Sequence, residues 1–147
     1  MEKKILILTM GLPRSGKSTW ARNKGFPIVN PDSIRLVLHG RAFVPETEPL
    51  VWVIARYMAQ ALFEAGHDHV IVDATNTTRK RRDIWKDEGW DRKYRVFGVD
   101  KDECIKRAVA GQRSDLVPII ERMSEAWEDI EEDEWDGQEF KTAIDEG

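Results

Sequence analysis

The residues with the clearest chemistry are Gly11, Leu12, Pro13, Arg14, Ser15, Gly16, Lys17 and Ser18, whose spacing fits G-x-x-x-x-G-K-[ST]. Glycines at those positions let successive backbone N–H groups converge on phosphate oxygens, the lysine neutralises charge at the β- and γ-phosphates, and the serine hydroxyl offers an oxygen to Mg²⁺. Thr19 continues the polar start of the helix that this loop should open. Such a loop suits a nucleoside triphosphate, ATP or another, carried with magnesium. The side chain of Arg14 either stays in solvent or touches phosphate, and residue type alone does not choose.

Asp32 and Arg35 form a second pair, three residues apart on one face of an expected helix. Phosphoryl transfer to an alcohol needs a base for the hydroxyl proton, and an anionic acceptor needs a cation beside it. Asp32 equally suits an N-terminal helix cap, with Arg35 solvated. Asp73 ends the apolar run 70–72. It fits either the water shell of a metal held by Ser18 or a turn before the next helix. Asn76 and the basic run Arg79-Lys80-Arg81-Arg82 follow. Lys80 and Arg81 read as a solvated helix face, whereas Arg79 and Arg82 share a face that can meet an anion. Arg107 and Arg113 bracket a break at Gly111. Arginines on a closing lid there would meet charge developing on a transferred phosphoryl group; in isolation they read as ordinary surface residues.

These residues need a frame that brings them to one edge. Ile5–Met10 is an apolar run interrupted only by Thr9, as expected for a central parallel strand buried on both faces. Further strands are expected at 27–30, 69–73 and 94–99. Helices are expected from 16 or 17, after Pro31-Asp32, and over 51–65, 78–88, 102–110 and 118–132, with an irregular loop over 40–49. Strands interleaved with helices imply βαβ crossovers. The expected architecture is α/β, a P-loop kinase fold with about a four-stranded parallel sheet, helices on both faces and a helical lid. It should occupy residues 1–128, followed over 129–147 by an acidic helix end or tail.

A chain of 147 residues with 41% hydrophobic content suits one domain. Cys104 is the only cysteine, which excludes an intramolecular disulfide or a cysteine-rich metal site and suits a reducing cytoplasm; it reads as a small core residue. No apolar stretch is long enough for a membrane span, and the opening run is too brief for a signal peptide. The net charge of −4 hides a division: residues 125–147 carry eleven carboxylates against Lys141 alone, and the rest carries sixteen against twenty-two lysines and arginines. The basic body suits a polyanionic partner such as a nucleotide or nucleic acid, and the acidic tail reads as solvated.

Four blocks in order are similar to the P-loop kinases typified by the polynucleotide 5′-hydroxyl kinases of tailed phages and bacterial RNA-repair systems. They are the strand and loop running into Gly16-Lys17-Ser18-Thr19-Trp20-Ala21, then Asn30-Pro31-Asp32-Ser33-Ile34-Arg35, then Val72-Asp73-Ala74-Thr75-Asn76 with the arginines after it, and Arg107 through Val117-Pro118 to Met123. The resemblance spans residues 3 to about 128. It implies Lys17 and Ser18 on phosphate and Mg²⁺, Asp32 as general base for a 5′-hydroxyl, Arg35 on the acceptor's phosphate, and a lid arginine, Arg107 or Arg113, on the leaving phosphates. Asp73, Asn76 and Arg79, which follow the third strand, are candidate acceptor-side residues by their position, with Asp73 also a candidate for the metal. Two positions depart from the pattern. Many small kinases of this kind carry glycine where Arg14 stands, and they space two lid arginines about one helical turn apart, whereas Gly111 stands four residues beyond Arg107 and the next arginine is Arg113. The implied activity is transfer of the γ-phosphate to a 5′-hydroxyl of RNA or DNA. A kinase of a small hydroxylated metabolite, nucleoside or antibiotic would use the same loop and base, while a P-loop ATPase without an acceptor would have no use for Asp32.

Overall fold

A computed structural model describes residues 3–40 and 43–136, together with the backbone of 144–145. Five strands, β1 (Ile5–Met10), β2 (Ile28–Val29), β3 (His69–Val72), β4 (Asp91–Val96) and β5 (Ile144–Asp145), pair in parallel in the order β2-β3-β1-β4-β5. Four are the expected strands, and the short β5 extends the β4 edge. Helices α1 (Lys17–Lys24), α2 (Pro31–His39), α3 (Glu48–Glu64), α4 (Arg79–Asp83), α5 (Lys101–Ala110) and α6 (Val117–Glu125) surround the sheet. The chain builds β2 and β3 on one side of β1 and then crosses to the other side for β4. The C-terminal end of β1 is therefore the point where strand order reverses, the place where open α/β sheets leave a crevice for ligands.

Alternation along the strands fixes which face each side chain serves. Leu6 and Leu8 of β1 and Val70 and Val72 of β3 join one core with Ile34 of α2 and with Val51, Ala55, Ala59 and Phe63 of α3. That last set repeats every four residues, the apolar stripe of a helix lying on a sheet. α3 begins three residues before the expected 51 because Pro49 suits its first turn. A smaller cluster of Leu12, Cys104, Ala108 and Ile120 fastens α5 and α6 beside the phosphate-loop sequence, with Cys104 fully buried.

Three expectations are corrected. β4 covers Asp91–Val96, not 94–99, because its charged start is buried: Arg92 donates from Nε to Asp136 at 2.7 Å, and the Asp91 N–H donates to the Lys4 carbonyl at 2.9 Å. The helix expected over 78–88 ends at Asp83, where Trp85 turns into the core and Arg56 donates to the Ile84 carbonyl and the Asp87 carboxylate. The helix expected over 118–132 ends at Glu125, and residues beyond it run back over the sheet, with the Glu128 N–H on the Thr77 carbonyl at 2.8 Å.

The acidic segment is not solvated throughout. Glu134 and Arg82 are both fully buried and paired at 2.7 Å. Asp136 pairs with Arg92, and Glu131 and Asp133 both meet Arg79. Residues 137–143 and 146–147 of the expected tail lie outside the described residues.

Candidate active site

The loop after β1 has the shape its glycines require. A Cβ on Gly11 would lie 2.6 Å from Ser15 Oγ and 2.9 Å from Phe97 Cβ, so only glycine fits there. Gly16 adopts φ 100°, a left-handed conformation natural to glycine, and α1 starts directly after it. Lys17 is only 8% exposed, and its ammonium donates to the Leu12 carbonyl at 2.7 Å. Burial lowers its pKa to about 8, against the pull of Asp73, Cys104 and Asp32. The lysine therefore waits, charged at neutral pH, folded back on the loop it would serve.

Ser18 donates its hydroxyl to Asp73 Oδ2 at 2.7 Å, and Asn30 donates to the same oxygen at 3.2 Å. A hydroxyl and a buried carboxylate side by side at a helix start are hard oxygen donors, and they fit a magnesium ion that takes its remaining ligands from phosphates and water. Thr9 ties this carboxylate to the loop: its hydroxyl donates to the Ala74 carbonyl at 2.7 Å and accepts from the Ala74 N–H at 3.1 Å. Asn76, expected on the acceptor side, is buried and donates to the Thr9 carbonyl at 2.8 Å, so it shapes this junction from within.

Asp32 is not the cap of α2. Asn30 is, accepting from the backbone N–H groups of Asp32 and Ser33. The Asp32 side chain is left 76% exposed and accepts from Arg35 Nη1 at 2.6 Å. Arg35 is not solvated: it is 14% exposed and grips Glu48 through Nε at 2.9 Å and Nη2 at 2.7 Å. Burial opposes its charge, but the hydrogen bonds and charges of Glu48 and Asp32 together outweigh that and raise its pKa. Three of its five N–H donors are thereby used and two remain. Glu48 escaped the sequence reading, since a carboxylate in the first turn of a helix is ordinary and nothing local announces a partner thirteen residues earlier.

The basic run is corrected at Arg79 and Arg82: Arg79 is held by Glu131, Asp133 and Asp83, and Arg82 by Glu134, so neither is left for an anion, whereas Arg81 is exposed as expected, with its guanidinium 4.5 Å from the Trp52 ring centroid. Arg35 lies 5.8 Å from the same ring. On the lid side, Arg107 donates to Glu103 at 3.1 Å and to the Arg14 carbonyl at 3.1 Å, and Arg113 makes two 3.0 Å bonds to Asp115. The hydrogen bonds and charge of Asp115 raise the pKa of Arg113, and the charge of Asp32 adds to them.

A phosphate loop between the central strand and a helix, a hydroxyl–carboxylate pair for a metal, and the reversal of strand order at the same edge define a nucleotide-binding enzyme of the P-loop kinase type. A family profile described as "AAA domain" matches residues 6–132, and the chain belongs to that family. It is similar to a chain in the structure of a Pnkp1/Rnl/Hen1 complex, at 30% identity and TM-score 0.65 over 73% of this chain and 40% of that one. It is also similar to a chain of the Pnkp1/Rnl/Hen1 RNA repair complex, at 21% identity and TM-score 0.66 over 87% and 47%. Against the APS kinase CysC of Mycobacterium tuberculosis in complex with AMPPNP and APS, identity is 17% and TM-score 0.63 over 88% and 85%. The chain spans less than half the length of the two Pnkp1-complex chains. Among the described residues, no helix is long and apolar enough to cross a membrane.

Proposed function

We propose that the chain transfers the γ-phosphate of ATP, with Mg²⁺, to the 5′-hydroxyl of an RNA or DNA strand, in the cytoplasm and as a step of nucleic-acid repair. The observation that carries this reading is the Asp32–Arg35–Glu48 relay at the sheet's C-terminal edge. An exposed carboxylate held at 2.6 Å by an arginine, itself locked by a second carboxylate, is a base with a fixed direction. Asp32 takes the proton of the acceptor hydroxyl, whose oxygen forms a bond to the γ-phosphorus. The bond from that phosphorus to the bridging oxygen breaks, and ADP leaves with its electron pair. The two unused donors of Arg35 hold the acceptor's nearest phosphate, which a small uncharged alcohol lacks. Lys17 and the loop N–H groups hold the triphosphate, and bound Mg²⁺ would be held through Ser18 and Asp73, neutralising phosphate charge.

The Pnkp1 complexes support a nucleic-acid acceptor, and the other small kinases of this fold, the APS kinase among them, support a second reading in which the acceptor is a small hydroxylated metabolite or nucleoside. The two are separated by offering γ-labelled ATP and Mg²⁺ with a bare nucleoside, its 3′-phosphate, a 5′-hydroxyl oligonucleotide and a sugar. Label is expected on the 3′-phosphorylated nucleoside and the oligonucleotide. Arg35→Ala should raise KM for these by about 10–100-fold while KM for ATP changes little. Equal labelling of the bare nucleoside or the sugar would sink the nucleic-acid reading.

A further inference from the structure

The two departures from the resembled pattern, Arg14 in the loop and Gly111 after the last turn of α5, meet in space. Arg14 adopts φ 70°, a left-handed backbone that disfavours any residue with a Cβ. Gly111 has φ −89°, open to every residue, so backbone conformation does not call for glycine there. Space does: a Cβ on Gly111 would lie 3.3 Å from each terminal nitrogen of Arg14 and 3.3 Å from the Arg107 carbonyl. Gly111 vacates the volume that the Arg14 guanidinium fills. Arg107 closes the arrangement by donating to the Arg14 carbonyl at 3.1 Å.

The other lid arginines are partly occupied, Arg107 by Glu103 and the Arg14 carbonyl, Arg113 by both oxygens of Asp115. Arg14 has no carboxylate at ion-pair distance among the described residues, although its charge reaches Asp115. A non-glycine residue kept in a disfavoured backbone region, with its cation unpaired between a phosphate loop and a lid, is the pattern of local strain retained for function.

We infer that Arg14 is the lid's phosphate-contacting cation, reaching from the loop itself across Gly111 to the β- and γ-phosphates of the bound triphosphate. This rests on the phosphotransfer reading. As the bond to the bridging oxygen breaks, negative charge grows on the diphosphate that leaves, and a guanidinium already anchored by its own loop meets that charge without rearrangement.

The test is a reciprocal exchange. Arg14→Gly relieves the backbone, so Tm should hold or rise. The single-turnover rate of γ-phosphoryl transfer to a 3′-phosphorylated nucleoside should nonetheless fall about 10²–10³-fold, and the Kd for ATP should rise by about tenfold. Residues 107 and 111 share a helix face, so Gly111→Arg added to Arg14→Gly should place a guanidinium in the vacated volume and restore at least about tenfold of the lost rate. In the wild-type background, Gly111→Arg should lower the rate, because two guanidiniums would compete for one space. An Arg14→Gly enzyme within about twofold of wild type in both rate and ATP Kd overturns the inference. Release of labelled phosphate to water is measured in the same proteins and in Lys17→Ala. Hydrolysis lost in Lys17→Ala but intact in Arg14→Gly overturns the inference alone, whereas hydrolysis intact in both overturns the phosphotransfer reading beneath it.

Discussion

Two groups of arginines in this chain have opposite fates. Arg79, Arg82 and Arg92 lie against the acidic segment and are matched to carboxylates of their own chain. Arg14 in the phosphate loop, Arg113 beyond α5, and Arg35 and Arg81 over the Trp52 ring keep N–H donors in hand. The difference teaches that an excess of basic residues in the body is a poor measure of polyanion-binding surface. Some of that charge is consumed in folding, and only the second group is left for a ligand.

The largest effect should fall on the ligand side. Asp32→Asn is expected to lower the transfer rate about 10²–10⁴-fold while leaving the Kd for ATP near wild type, measured by single turnover and by equilibrium binding. A large loss of ATP binding instead would move Asp32 from the base's role to the metal's.

On the folding side, Glu134→Ala strands Arg82 as a fully buried, uncompensated charge. The expected loss is about 3–5 kcal/mol in urea unfolding, with much less lost when Arg82→Met and Glu134→Leu are combined. Transfer rate per folded molecule should not change. A large drop in that rate would break the division between the two groups.

Lys17 supplies a smaller, pH-dependent effect. Burial holds its pKa at about 8, so the ammonium that phosphate needs is lost from the free enzyme as pH rises through that value. The Kd for ATP should climb by up to about tenfold per pH unit above it. Lys17→Arg, charged throughout that range, should flatten the slope.

The smallest effects belong to the exposed rim of the acidic segment. Arg79→Ala is expected to leave the urea midpoint almost unchanged, because its carboxylate partners are largely solvated. Acid should matter more than this single deletion. The Arg79 hydrogen bond lowers the pKa of Asp133; burial raises that of Asp136, but its bonds to Arg92 outweigh burial and the net direction is down. Both carboxylates release their protons more readily when folded. Their stabilisation is therefore present above the ordinary carboxylate range and disappears as pH falls through it, to be followed by unfolding between about pH 5 and 2.

What was legible in the sequence was local. Ile5–Met10, the loop after it and the helix at Lys17 follow from an apolar run, two glycines and a lysine within fourteen residues. The start of β4 was hidden because Arg92 reads as polar until Asp136, forty-four residues later, neutralises it. Arg82 and Glu134 are separated by fifty-two residues, and no periodicity in either segment points to the other. Glu48 was missed for the same reason at shorter range. The site was legible where chemistry needs a fixed spacing, and it was not where a salt bridge closes across the fold.

Thr9 gives the phosphate loop and the Asp73 carboxylate a common mechanical origin. Its hydroxyl bonds both backbone groups of Ala74, its carbonyl receives the Asn76 amide, and two residues on the Gly11 N–H meets the Thr75 carbonyl at 3.0 Å. The ends of β1 and β3 are therefore tied to each other by four hydrogen bonds, which fix the start of the loop relative to the segment that carries Asp73. A nucleotide arriving there meets a backbone whose ordering was completed when the two strands paired, and only side chains such as Lys17, folded back on the Leu12 carbonyl, are left to move.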